Sequence, residues 1–337
     1  MRPYPLATVA CFDPTQGELP RRKLDGPRLK RFLQRLSEGG AEAVLIAAST
    51  GQGHLRTVAE LEEFFRVAAE QSMPGVQLMG LLRPEDGVET NARLLDLLHQ
   101  LDYDVVFLRP GTDLPSDATD DEVAASLQPL VQHADRLGLP IGLYSISDVS
   151  GLPLTAGAAA NLVQGSGGDA IVAIKVTEAN YESSTNTFLQ HPALRQLKIV
   201  QGWDPFLARA LRDGDDGETQ RCGVTSGPMS FALFQYLHIL EAARNSDWDE
   251  VEAAQNAVTL VFESMQDDPQ RFADLQRAKY IMGLGHPICG EVTAEQVERV
   301  LDTLHSLPRR DDRKRMCRSF DLMQDGPFHD RLAELAK

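Results

Sequence analysis

Short apolar runs alternate with longer amphipathic stretches along most of this chain. Eight runs read as strands: Leu6–Phe12, Ala43–Ala47, Val76–Leu81, Val105–Arg109, Pro140–Tyr144, Ile171–Lys175, Lys198–Gly202 and Arg221–Val224. Most are apolar throughout, the pattern of strands covered by helices on a parallel sheet. The intervening stretches predict helices over Gly26–Gly39, Val58–Gln71, Val88–Leu101, Asp120–Leu137, Thr155–Gln164, Ser183–Gln190, Pro205–Asp213 and Pro228–Asn245. Thr57-Val58-Ala59-Glu60 fits a capping box, and Gly138 with Pro140 ends the fourth helix. Eight strand–helix units in about 245 residues match the size of a closed α/β barrel. The expected fold is therefore an α/β (β/α)8 TIM barrel over residues 1–245 with a C-terminal helical extension over 246–337. That extension shows helical patterns at Asp249–Gln266, Phe272–Met282, Thr293–Leu304 and Phe328–Ala336, and a loop at Gly283–Gly290. It is expected to offer a packing surface for another subunit, and a homo-oligomer, dimer or tetramer, is anticipated. A doubly wound sheet is the architectural rival. Its fingerprint is missing: Gly51-Gln52-Gly53-His54-Leu55-Arg56 lacks the third glycine and does not follow the first strand.

Charge narrows the partners. The formal net charge is −16, which opposes nucleic acid, whose phosphates need clustered Lys and Arg. One basic run, Arg309 to Arg318, is interrupted by Asp311 and Asp312 and reads as a solvated helix face or an anion or subunit contact. No apolar run has the length of a membrane helix, and the opening residues lack the layout of a signal peptide, so a cytoplasmic location is expected. Cys11, Cys222, Cys289 and Cys317 are far apart, and the histidines form no HxH or HExxH. No metal and no cofactor is expected.

Barrel enzymes carry their chemistry at the C-terminal ends of strands. Lys175 closes the sixth strand in Ile171-Val172-Ala173-Ile174-Lys175. Desolvation there would lower its pKa and free the amine to attack a carbonyl. A lysine snorkelling from a strand end fits the same position. Tyr144 closes the fifth strand, where a phenol can shuttle protons, though a core tyrosine reads the same way. After the second strand, Ala48-Ser49-Thr50-Gly51-Gln52-Gly53 supplies hydroxyls and bare amides suited to a carboxylate. A plain strand-to-helix turn would use the same glycines.

Together these motifs resemble the pyruvate-dependent class I aldolase family of dihydrodipicolinate synthase and N-acetylneuraminate lyase. The resemblance rests on Ala48-Ser49-Thr50-Gly51-Gln52, Tyr144-Ser145-Ile146-Ser147-Asp148-Val149-Ser150-Gly151 and Ile174-Lys175, then Gln201-Gly202-Trp203-Asp204 and Gly223-Val224-Thr225-Ser226. Each motif is degenerate; their order and spacing are specific. The resemblance implies that Lys175 forms the Schiff base, that Tyr144 is the catalytic tyrosine, and that Ser49 and Thr50, beside Gly51, hold the carboxylate of a 2-oxo acid and relay protons, Thr50 being a catalytic residue with Lys175 and Tyr144. Thr177, Gly202, Asp204 and Ser226 are the expected contacts to the rest of the substrate.

Departures qualify the substrate. Val149 stands where the synthase has its substrate-binding arginine, and Arg109-Pro110-Gly111-Thr112 lacks its relay tyrosine. The fifth-strand loop is nearer the lyase type, as are Ser49 and Thr177, but the lyase's acidic pair is reduced to Asp204-Pro205. Asp204 binds a substrate hydroxyl or caps the helix starting at Pro205. Gln52 replaces a glutamate that would structure its loop. His54 is an acid, a base or a surface residue, and Trp203 walls the pocket or packs in the core. The leading expectation is a Schiff-base aldolase or dehydratase acting on pyruvate with an aldehyde, or on a 2-oxo sugar acid. A non-catalytic ligand-binding or scaffold barrel is one alternative, and 4-hydroxy-tetrahydrodipicolinate synthase another. A phosphate-binding barrel, suggested by Gly223–Pro228, leaves Lys175 and Tyr144 unexplained.

Overall fold

The computed structural model of the chain describes residues 6–17, 22–266 and 272–337; the reading of the extreme N-terminus falls on residues 1–5, outside them. All eight expected strands are present: β1 Ala7–Ala10, β2 Ala43–Ile46, β3 Gln77–Leu82, β4 Val105–Leu108, β5 Ile141–Ser145, β6 Ile171–Val176, β7 Lys198–Gln201 and β8 Cys222–Ser226. Their order is that of a closed barrel, β1-β8-β7-β6-β5-β4-β3-β2. Every registered pair among them is parallel. The fold is a TIM barrel.

The helices also follow the amphipathic pattern: α1 Gly26–Glu38, α2 Val58–Ala69, α3 Val88–Gln100, α4 Asp120–Leu137, α5 Ala156–Gln164, α6 Thr185–Gln190, α7 Leu207–Asp213 and α8 Met229–Arg244. The capping box at Thr57 is complete, with Glu60 returning a bond to the Thr57 backbone. Beyond α8 lie α9 Trp248–Glu263, α10 Gln276–Ile281, α11 Ala294–Ser306, α12 Arg310–Phe320 and α13 His329–Leu335. The basic run forms α12, but only part of it is solvated. Met316, Cys317, Ser319 and Phe320 are buried, and so is Asp312, which faces Arg309 and Arg315. A two-residue antiparallel pair, Thr15–Gln16 with Lys23–Leu24, is too short to show as alternation in the sequence.

The contacts gather the chain into two compact units. One is Gln77–Thr225 with the segment ending at Leu6; the other is Ala7–Val76 with Ser226–Lys337. In the first, parallel register sets Tyr144 beside Lys175 and Lys175 beside Val200. One layer below, Gly142 leaves room for the Phe107 ring, which a Cβ at that position would overlap. In the second, α8 packs on β1, and α9 and α12 pack on α8.

Candidate active site

In the unit Gln77–Thr225, β6 delivers Lys175 into a buried position, 5% exposed. Its Nζ lies 3.8 Å from the centroid of the Tyr144 ring. Burial brings the amine down from 10.5 to about 7, against the opposing pull of the Asp204 carboxylate. About half the amines are then neutral at neutral pH, the form that attacks a carbonyl. A snorkelling lysine would reach solvent and keep its ordinary value; this one does neither.

The Tyr144 hydroxyl donates to Thr177 Oγ1 at 3.2 Å. Burial is the main cause that raises the phenol's pKa, so it is a protonated donor at neutral pH. Gly202 closes β7 with its N–H on Val176 O at 2.7 Å. A Cβ at Gly202 would overlap Thr177 Oγ1 and come within 3.1 Å of Thr225 O, so bare backbone is required there. Asp204 is buried inside the first turn of a short 3-10 helix, Asp204–Phe206, whose cap position is Trp203. Trp203 and Val149 are half-buried.

Two charged residues of this unit escaped the sequence reading. Arg109, 1% exposed, was noticed only for the tyrosine missing after it. It pairs with Glu85, donates to Pro110 O at 3.0 Å, and is close enough to Tyr144 to draw its pKa downward. Glu178 follows Thr177 and is buried against the Ser145–Ser147 backbone and hydroxyls. Its partners stand 31 to 33 positions upstream, beyond any local sequence signal.

In the unit Ala7–Val76 with Ser226–Lys337, β2 leads into a 3-10 turn over Ser49–Gly51, all buried. Ala47 and Gln52 take positive φ, at 60° and 57°, to make the turn tight. Gly51 is obligatory: a Cβ would stand 2.8 Å from Asp13 N and 2.9 Å from Cys11 O. The Gln276 amide donates to Thr50 O at 2.7 Å. Gln52 takes over the loop-structuring task expected of a glutamate. Its oxygen accepts from Ile288 N at 2.6 Å and Cys289 N at 3.2 Å, while its NH2 donates to Cys289 O at 3.0 Å.

Beneath this turn lies a buried ion cluster. Asp13 accepts from Arg56 Nη2 at 2.6 Å and from Lys279 Nζ at 3.0 Å, with all three side chains at most 2% exposed. His54 meets Phe272 edge-on at 5.5 Å between ring centroids. Ser226 Oγ lies 3.0 Å from the Tyr236 hydroxyl and accepts from Met229 N at 3.3 Å, so its hydroxyl serves the start of α8.

No protein-family model matches the chain. Among curated proteins it is 24% identical to N-acetylneuraminate lyase 2 of Escherichia coli O6:H1 over 294 residues, covering 86% of this chain and 89% of that lyase. It is 23% identical to N-acetylneuraminate lyase of Salmonella typhimurium over 291 residues, 86% of this chain and 92% of the relative. Over most of its length the chain is thus similar to N-acetylneuraminate lyases.

A dihydrodipicolinate synthase from Bacillus anthracis superposes with a TM-score of 0.76 at 16% identity, covering 92% of this chain and all of that one. Such a likeness establishes the fold. No helix among the described residues is long and apolar enough to cross a membrane.

Proposed function

We propose that this chain is a member of the dihydrodipicolinate synthase/N-acetylneuraminate lyase family and a Schiff-base lyase, an aldolase or dehydratase, whose Lys175 condenses with C2 of a 2-oxo acid such as pyruvate. The buried, low-pKa amine lying on the face of Tyr144 carries this reading. In it, the neutral amine adds to the ketone to form a carbinolamine. Tyr144 gives its proton to the departing hydroxide, which leaves as water, and the lone pair on nitrogen closes the iminium. The resulting phenolate then receives a proton from C3, or from the hydroxyl of a C3–C4 bond being cleaved, and the electron pair enters the enamine. A phenol of raised pKa suits that second task, since its conjugate base is strong. Ser49 and Thr50, with the bare Gly51 amide, are assigned to the carboxylate. Thr177, Gly202 and Asp204 are assigned to the remainder of the substrate; the Ser226 hydroxyl, engaged by Tyr236 and Met229 N, is not.

Val149 places an apolar side chain where a dihydrodipicolinate synthase would need a cation, so a neutral or hydroxylated partner is favoured over an acidic aldehyde. Borohydride reduction with pyruvate tests the core of the proposal. A stable mass increase mapped to Lys175, absent in Lys175→Met, is expected. An unmodified lysine at saturating pyruvate would leave a binding barrel without imine chemistry.

A further inference from the structure

Behind the Tyr144–Thr177 bond lies a second link between the same two strand ends. Glu178, 8% exposed, stands two residues beyond β6. Its Oε1 accepts from Ser145 Oγ at 2.7 Å and from Ser147 N at 2.8 Å, and its Oε2 accepts from Ser147 Oγ at 2.6 Å. The Ser145 hydroxyl in turn accepts from Leu154 N at 3.1 Å. The carboxylate therefore ties the end of β5, the helical turn Ser147–Ser150 and the segment reaching Leu154 to the end of β6. Among the described residues it makes these bonds without a salt-bridge partner. A buried carboxylate held only by neutral donors is costly compared with an amide or an apolar side chain. Its geometry fits a purpose beyond filling space.

We infer that Glu178 is a positioning residue, which fixes the Tyr144 hydroxyl for proton transfer by locking residues 145–147 to the end of β6. This rests on the Schiff-base reading above. Charge-assisted bonds are short and directional, so three of them on one carboxylate leave the backbone after Tyr144 little freedom. The charge also acts on the phenol directly. Burial, Glu178 and Asp148 favour its protonated form, while Thr177 and Arg109 oppose them; Lys175 lies over the ring face.

The test needs no knowledge of the second substrate. Exchange of the pyruvate methyl protons in D2O, followed by NMR, reports passage from iminium to enamine with pyruvate alone. In the full chain, Glu178→Gln should trap pyruvate at Lys175 under borohydride to the same yield as the native protein. Its saturated exchange rate should fall at least about tenfold, within the range that acid–base groups contribute, with the pyruvate KM changed by less than about threefold. A fall in saturated exchange at unchanged trapping and KM separates a misplaced phenol from a general loss of packing, which would lower the trapping yield as well. Unchanged exchange, with trapping intact, overturns the role of Glu178 and leaves the Schiff base standing. Failure of the native protein to trap pyruvate overturns the Schiff-base reading itself and this inference with it. Should Glu178→Gln not fold, Ser147→Ala carries the test: it removes one of the three bonds and should slow exchange about threefold, and an unaltered rate refutes the lock.

Discussion

The face of Tyr144 is the immediate neighbour of the Lys175 amine, and Asp204 is the charge that acts on it. These two influences differ in kind. The ring excludes water and helps strip the ammonium of its hydration, whereas the carboxylate favours the ammonium. Replacing Asp204 by asparagine should therefore lower the lysine pKa further below about 7. Measured as the rate of borohydride trapping of pyruvate against pH, the acid limb should shift to lower pH by up to about one unit; a shift the other way would show that Asp204 does not act on the amine. The same depression couples to folding. The contribution of Lys175 to stability is fully present above its unfolded value of 10.5, declines as pH falls, and levels off below about 7. Lys175→Met should then be more stable than the native chain near pH 7, by an advantage that shrinks to nothing above pH 10.5. Urea denaturation at a series of pH values reads that difference directly.

At the scale of elements, the turn after β2 depends on an amide where the motif it resembles has a glutamate. Gln52 both accepts from two N–H groups and donates to Cys289 O; a carboxylate could do only the first. Gln52→Glu should destabilise the chain by about 1–3 kcal/mol, the cost of leaving a buried carbonyl facing an unmatched acceptor, seen as a lower urea midpoint with an unchanged slope. The strands themselves were legible because their apolar runs are bounded by Gly, Pro and charged residues, and a strand covered by helices has little other way to look. Lys175 and Tyr144 were legible as polar residues closing otherwise apolar strands. Glu178 was not, because its meaning lies in donors on the preceding strand–loop unit. Ser226 shows the reverse limit. The motif nominates it for substrate, yet its hydroxyl is already engaged by Tyr236 and Met229 N, and alternation along a short strand cannot be assigned a face until its neighbours are known.

For the whole molecule, what matters is how far apart in sequence the partners of the buried ion cluster are. Asp13 and Lys279 are separated by 266 positions, and Asp13 and Arg56 by 43. Composition offers no hint of such a cluster; it reports an acidic chain, while the cluster gathers two cations on one carboxylate. Removing the shared anion leaves two buried positive charges uncompensated, so Asp13→Ala should cost about 3–5 kcal/mol. Equilibrium denaturation would show it, and a loss under about 1 kcal/mol would mean that water reaches the site. Since the Ala7–Val76 unit draws Gln276 and Lys279 from beyond residue 245, a chain ending at Asn245 should fail to unfold cooperatively in a thermal scan.

The unequal exposure of the thiols offers a practical handle. Cys11, Cys222 and Cys317 are buried, and burial pushes the latter two up to about 12, whereas Cys289 is exposed. A maleimide fluorophore added to the native chain should thus attach at a single address. That address is bonded through its own backbone to Gln52, so the dye's emission would report ligand entering the Ser49–Thr50 turn in real time, without mutating a single residue.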